Sequence, residues 1–307
     1  EISRADAGVG VVMSVNNSLC CDPLHHFGSD YIKETYLKKI ASGEWLGSYS
    51  LTEPGAGSDA GALAMTAVKD GNEYVLNGTK AFITNGDSCD ITVTYAKSDP
   101  DEPGGRGITA FVVEKGTPGF SVGKHEDKLG IRCSDCVSLV FEDCRVPVEN
   151  VIGEEGKGFK VAMATLDVGR IGIGAQALGI ARACLDESLS YSAERVQFGK
   201  PIAAFQAIQW KIADMAMELD AARLLVQRAA WMRDEGMRHT LQSSMGKLFA
   251  SETAMRAALE AVQIHGGYGY IREYPVERHM RDAKITEIYE GTSEIQRIVI
   301  ARNLMKD

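Results

Sequence analysis

The sequence predicts a multidomain α+β fold: a helical opening, a middle β-barrel or sandwich, and a C-terminal bundle of long helices. Three observations carry this reading. The apolar period is helical up to about residue 46, turns to short β-rich runs broken by Gly, Pro and Asn over 47–157, and is long and helical from Gly158 onward. With 307 residues the chain exceeds one simple core, so domains are expected at 1–46, 47–157 and 158–307.

The opening helical pattern is clearest from Tyr31 to Ile40. In the middle region, residues 73–76 and 79–84 flank Asn77-Gly78, and Asn-Gly accepts the positive φ angles of a type I′ turn, so this stretch is expected to form a hairpin. Further strands are expected at 90–96, 107–113 and 137–141. Beyond Gly158, the residues Phe159, Met163, Leu166, Ile173, Leu178, Ala181 and Leu185 recur at three- and four-residue steps. They predict one helix to about Phe198, ended by Gly199-Lys200-Pro201. Helices near 204–234, 240–264 and 294–305 follow, with Gly266-Gly267-Tyr268-Gly269 breaking the pattern, and long helices with short breaks make a bundle.

Lys plus Arg is 33 and Asp plus Glu is 42, a net charge of −9. That balance argues against general nucleic-acid binding, which needs a basic face, but leaves room for an anionic ligand held by a few local cations. No apolar run is long enough to span a bilayer, and no signal segment is present. The seven cysteines are scattered and fit reduced thiols in a cytosol-like compartment. Cys20 and Cys21 are adjacent, a poor disulfide pair, and Cys133-x-x-Cys136 has no second ligand pair nearby. His25 and His26 also lack carboxylate or Cys partners, so no metal site is expected.

Four motifs stand out in order: Leu51-Thr52-Glu53-Pro54-Gly55-Ala56-Gly57-Ser58-Asp59, Arg195-Val196-Gln197-Phe198-Gly199-Lys200, Gln263-Ile264-His265-Gly266-Gly267-Tyr268-Gly269, and residues 288–297 around Tyr289-Glu290-Gly291-Thr292. Neither glycine-rich segment is a nucleotide fingerprint: the first lacks a following Lys, and the third is not a strand-to-helix G-x-G-x-x-G. A classical NAD-binding reading therefore fails. Spacing alone does not separate Glu290 from its acidic neighbours Glu287 and Glu294, because helix ends commonly carry exposed acids.

Taken together, the four motifs resemble those of the acyl-CoA dehydrogenase family, and the similarity runs along essentially the whole chain. The stretches 128–132 and 166–172 are most similar to short-chain, butyryl-CoA-type members. The resemblance implies an N-terminal helical domain, a middle β domain and a C-terminal four-helix bundle, usually in a tetramer. It starts inside the N-terminal domain, with most of the family's opening helices absent from this sequence.

The reaction it implies removes a proton from Cα and a hydride from Cβ of an acyl thioester, giving a trans-2-enoyl-CoA. The weakly acidic α-proton needs a placed base, and a carboxylate becomes one when burial raises its pKa. Glu290 matches the family's base position, at a loop edge before Gly291, with Thr292 and Ser293 able to cap the next helix. No side chain accepts hydride, and the family uses FAD.

The resemblance assigns Tyr49, Leu51, Thr52, Gly57 and Ser58 to the flavin edge, and Phe82, Ile83 and Thr84 to the wall behind the ring. By pattern alone Phe82 is a core-facing strand residue. Arg195 matches a pyrophosphate contact reaching a neighbouring subunit, suited by its planar fork. Phe198, Gln206, Gln263, Ile264, Gly266, Gly267, Thr292 and Glu294 match further cofactor contacts. Ser58, Asp167, Arg170, Tyr289, Gly291 and Arg302 match substrate contacts; otherwise Arg170 and Arg302 are solvated helix arginines. The early helix around Val11–Val15 is a candidate to line the acyl pocket.

Implied partners are the acyl-CoA and an electron-transferring flavoprotein, in a bacterial cytoplasm rather than a mitochondrial matrix. Alternatives within the fold are branched-chain, medium-chain or glutaryl specificity, an acyl-CoA oxidase, or a non-catalytic flavoprotein relative. The net negative charge and the retained Glu290 count against a DNA-associated relative.

Overall fold

The computed structural model describes residues 1–305, and the chain forms two compact units. One comprises Val12–Asp127 and Cys133–Gly169; the other comprises Glu1–Val11, Lys128–Arg132 and the chain from Arg170 onward.

The first unit is built on one eight-stranded sheet. Its strands are β1 (Gly47–Ser50), β2 (Thr66–Asp70), β3 (Glu73–Thr84), β4 (Ile91–Lys97), β5 (Ile108–Glu114), β6 (Phe120–His125), β7 (Cys136–Pro147) and β8 (Val151–Ile152). They pair in the order β6-β7-β3-β2-β4-β5-β8, with β1 parallel to β4. Strand β5 is buried along nearly its whole length because both faces are covered. Ile108, Ala110 and Val112 join a core with the helical residues Leu24, Ile32, Tyr36 and Ile40, while Phe111 and Val113 join Tyr74, Leu139 and Phe141. The helical pattern at 31–40 is realised within residues 30–42, with a π-turn at Lys33–Leu37.

Asn77-Gly78 is not a hairpin turn. Strand β3 runs straight through it and pairs with β7 along its length, with a bulge between Leu76 and Gly78. Gly78 adopts φ 151°, and a Cβ there would come within 2.8 Å of Met65, so glycine is required by close packing inside the sheet. The hairpin lies one step earlier, where Gly71 at φ 63° turns β2 into β3.

In the second unit three long helices dominate: Gly158–Glu194 (from Arg170), Gln206–Asp234 and Thr240–His265. Small residues set their approach. A Cβ on Gly174 or Gly246 would meet Val226 at 2.8 and 3.4 Å, and Ala250, Ala254, Ala257, Ala258 and Ala261 line the buried side of Thr240–His265. Helices Val276–Ile285 and Ser293–Leu304 complete it, the former not expected from the sequence pattern.

The first long helix stops at Glu194, not Phe198. Residues 195–201 form a tight two-stranded ladder, Val196–Gln197 against Lys200–Pro201, turned by Phe198 and Gly199 at φ 52° and 79°. Two consecutive positive φ angles are incompatible with helix and suit a type I′ turn.

Candidate active site

Three acids crowd the segment 287–294, and the structure gives each a different fate. Glu287 pairs with Lys284 at 2.7 Å. Glu294 is exposed in the first turn of Ser293–Leu304, where backbone and Thr292 hydrogen bonds hold its carboxyl below the usual range. Glu290 is only half-buried as a residue, yet its Oε2 is sealed from solvent and has no hydrogen-bond partner. Burial raises its pKa to about 7, against the opposing pull of the Lys247 and Arg170 cations.

The backbone around Glu290 is unusual. Glu290 at φ 53° and Gly291 at φ 93° are consecutive left-handed residues between two helices. Glu290 bears the strain of that geometry, of order 1–3 kcal/mol for a non-glycine residue. The turn is pinned from three sides. Lys247 Nζ donates to Gly291 O at 2.6 Å, Gln296 Nε2 donates to the same oxygen at 2.8 Å, and Ser293 N donates to Glu287 O at 2.9 Å. Thr292 caps the following helix by accepting from Ile295 N at 3.3 Å.

Beside the base, the Tyr289 hydroxyl donates to Gln176 Oε1, and Gln176 Nε2 donates to Ala7 O at 2.8 Å. Burial pushes the Tyr289 phenol well above its ordinary value, so it stays neutral. Arg170 is 5% exposed, which removes the alternative of a solvated helix arginine. Arg302 is exposed on the last helix. Asp167 is half-buried and belongs to the other unit.

A separate cleft of about 520 Å³ opens in the same unit, lined by Tyr191, Arg195, Ile264, His265, Gly266, Gly267 and Tyr268 among others. Four of the expected cofactor residues, Arg195, Ile264, Gly266 and Gly267, therefore share one cleft. The Arg195 guanidinium sits 5.3 Å over the Tyr268 ring. Gly266 ends the Thr240–His265 helix at φ 60°, ψ −132°, a conformation open essentially to glycine alone, and a Cβ on Gly266 or Gly267 would meet nothing within 4 Å. Both present bare backbone to the outside. Phe198, 94% exposed at the tip of its turn, Gln206 and Gln263 lie outside the cleft's lining on exposed positions. His265, inside the Gln263–Gly267 stretch that resembles a cofactor contact, stacks on Tyr191 at 4.1 Å and is kept neutral by burial.

In the β unit, Leu51–Asp59 leaves β1 and turns at Pro54-Gly55, where Glu53 and Ala56 exchange backbone hydrogen bonds at 3.1 Å. Ala81 N donates to Thr52 O at 2.9 Å, which sets the Thr52 segment against the start of Phe82–Thr84. Two stretches 30 residues apart, proposed separately as flavin edge and flavin wall, are thus neighbours. Phe82 does not face the core. A bulge between Lys80 and Ile83 places it at φ 58° and turns its ring outward, leaving it 65% exposed while Ile83 is buried. Tyr49 and Thr84 are half-buried, Leu51 is buried, and Gly57 and Ser58 are exposed. Val11 and Val15 are core residues, 0% and 4% exposed, so packing accounts for both.

Beneath this surface lies an ion pair the motifs did not reveal. Lys80, fully buried, meets Glu53 Oε1 at 2.7 Å and Leu51 O at 3.2 Å, while Glu53 also accepts from Ala64 N and Met65 N at 2.6 and 3.1 Å. Burial lowers the Lys80 pKa to about 8 despite its partner. Among the described residues, no group of three or more His, Cys, Asp or Glu side chains could hold a metal ion, and no helix is long and apolar enough to cross a membrane.

The sequence matches the acyl-CoA dehydrogenase N-terminal domain over residues 1–44, the middle domain over 48–144 and the C-terminal domain over 156–305. The chain belongs to the acyl-CoA dehydrogenase family of FAD flavoproteins, and is an oxidoreductase acting on acyl-CoA.

Among its relatives is the butyryl-CoA dehydrogenase structure from Megasphaera elsdenii, 52% identical with a TM-score of 0.99, covering 100% of this chain and 80% of that one. A chain of the Acidaminococcus fermentans electron transferring flavoprotein structure is 52% identical with a TM-score of 0.98, over 99% of this chain and 80% of that one. The acryloyl-CoA reductase (NADH) of Anaerotignum propionicum is 56% identical over 92% of this chain and 72% of its own length.

The residues present fit FAD. An outward aromatic ring at Phe82 beside Leu51–Thr52 suits a planar ring system. A guanidinium beside two open glycines suits a pyrophosphate, which takes charge-assisted bonds and bare backbone N–H groups.

Proposed function

We propose that the chain dehydrogenates a short acyl-CoA, of the butyryl-CoA class, to the trans-2-enoyl-CoA, with Glu290 as the base for the α-proton. The observation that carries this is the Glu290 carboxylate oxygen, sealed from water, unpartnered, and titrating near neutrality at about 7. An unsatisfied buried acceptor carries a desolvation cost that packing alone does not explain, and taking a proton is the chemistry that fits it.

FAD, when bound, supplies the hydride acceptor that no side chain can provide. Tyr49, Leu51, Thr52, Gly57, Ser58, Phe82, Ile83 and Thr84 would hold its ring end. Arg195, Phe198, Gln206, Gln263, Ile264, Gly266, Gly267, Thr292 and Glu294 would hold the remainder. Tyr289, kept neutral and tethered to Gln176, offers a fixed wall beside the base. Ser58, Asp167, Arg170, Gly291 and Arg302 are the residues proposed to meet the thioester and its CoA. The strained, pinned turn at Glu290–Gly291 fixes the backbone from which the carboxylate projects, which supports a proton transfer at a fixed carbon.

The butyryl-CoA dehydrogenase likeness supports the short-chain reading, and the flavoprotein likeness supports an electron-transferring flavoprotein as partner. A homotetramer in a bacterial cytoplasm completes this reading; relatives of similar identity come from both bacteria and mitochondria. The acryloyl-CoA reductase likeness favours one second reading, the reverse reaction on a short enoyl-CoA. There the protonated Glu290 would return a proton to Cα, and a carboxyl near 7 has both forms available at neutral pH.

The test is anaerobic addition of butyryl-CoA to the flavin-loaded protein, following the visible flavin spectrum of wild type and Glu290→Gln. Wild type should bleach quickly, and the variant should keep its flavin and stay oxidised. A flavin that remains oxidised in wild type refutes the short-chain substrate, and a variant that bleaches at the wild-type rate refutes the base.

A further inference from the structure

Lys247 is a charged residue buried without direct access to a carboxylate. It lies in the middle of the Thr240–His265 helix with no solvent exposure, where an ammonium loses its hydration and needs strong compensation. Its Nζ donates to a backbone carbonyl, Gly291 O, at 2.6 Å. That carbonyl belongs to the residue after Glu290, within the pair of left-handed residues that positions the carboxylate.

The charged surroundings explain why a cation is kept there. Glu290 is faced by Lys247 from the Thr240–His265 helix and by Arg170 from the Gly158–Glu194 helix, with the neutral phenol of Tyr289 on its own segment. Lys247 is in turn within the influence of Glu290, Glu287 and Glu294, and is opposed by Arg170. The outer two acids are already engaged, Glu287 with Lys284 and Glu294 with its helix start. The positive charge of Lys247 is therefore directed at the one acid of the segment with a sealed, unpartnered oxygen.

We propose that Lys247 is a positioning residue for the base. It pins the Glu290–Gly291 turn through the Gly291 carbonyl and supplies a buried positive charge that favours the carboxylate form of Glu290. This rests on Glu290 as base. Gln296, which donates to the same carbonyl at 2.8 Å, shares the mechanical part but carries no charge. Among the described residues, Lys247 alone combines the two.

The consequence is electrostatic in sign. A cation beside a buried carboxyl favours the charged form, so its loss raises the pH at which Glu290 ionises. The experiment compares wild type with Lys247→Met, Lys247→Gln and Lys247→Arg as flavin-loaded proteins. The first readout is an infrared titration of the buried carboxyl, assigned by its disappearance in Glu290→Gln. The second is the pH profile of kcat/KM for butyryl-CoA.

In Lys247→Met the carboxyl titration and the acid limb should both move up by about 1 pH unit or more, with kcat reduced most at low pH and KM little changed. Lys247→Gln keeps a donor for Gly291 O without charge, so it should show the same shift with a smaller loss of kcat. Lys247→Arg should restore both. A carboxyl that titrates as in wild type in both neutral variants overturns the proposal, and so does a loss of kcat that is uniform across pH. If Glu290→Gln stays active, the base reading fails instead, while the infrared band still reports whether Lys247 governs that carboxyl.

Discussion

Replacing Glu290 by Gln should stabilise the protein while abolishing its activity, and the stabilisation should depend on pH. Burial raises the Glu290 pKa from an ordinary 4.5 to about 7. Between those values the folded chain holds a proton that the unfolded chain has lost, so stability falls as pH rises from about 4.5 to about 7 and is level above. At about 1.4 kcal/mol per factor of ten in proton affinity, full ionisation costs at most about 3.5 kcal/mol. The half-buried state of the residue makes that an upper bound.

Gln cannot ionise and resembles the protonated acid in shape. Near pH 4.5 the variant should therefore match wild type, and at pH 8 it should be more stable by up to about 3.5 kcal/mol. Urea denaturation of matched flavin-loaded samples at the two pH values, read from the midpoint difference, measures this. An equal difference at both pH values would refute the reasoning, because it would mean that ionising Glu290 in the fold costs nothing.

Other outcomes follow from the same contacts. Lys80→Met strands a buried Glu53 carboxylate and should destabilise the β unit by about 3–5 kcal/mol, whereas Lys80→Met with Glu53→Gln should recover most of that loss in a urea melt. Gly291→Ala must hold a side chain at φ 93° with its Cβ 2.6 Å from Gln296 Nε2, so kcat should fall at least tenfold with about 1–3 kcal/mol of lost stability. Arg195→Lys keeps the charge but loses the planar fork, and flavin affinity, measured by fluorescence on titration, should weaken about tenfold. The acid limb of kcat/KM in wild type should lie near the Glu290 pKa of about 7, with activity rising as pH increases through it.

Much of the architecture is legible locally. The change from strand to helix at Gly158 appears where the apolar period changes, and Thr292 caps its helix as a threonine before a helical run should. The Asn77-Gly78 hairpin was misread because a turn signal is local, whereas its strand is decided by β7, more than 60 residues away, which pairs with both halves of β3 and forces the dipeptide into a bulge. Phe82 was misread for a related reason: strand alternation predicts an inward ring, and only the bulge after Lys80 reverses it.

The candidate base shows the division most clearly. Three acids within eight residues, a Gly291 that breaks the helical run, and surrounding motifs that resemble one enzyme family are all legible in the sequence. It could not rank the acids, because all three carry the same carboxylate and spacing says nothing about water. Tertiary structure decided that, by giving Glu287 a lysine, leaving Glu294 in solvent, and sealing one oxygen of Glu290. The two cations that temper its pKa, Arg170 and Lys247, lie 120 and 43 residues away along the chain. A carboxylate's basicity depends on desolvation and on charges nearby in space, and both exist only once the helices have packed.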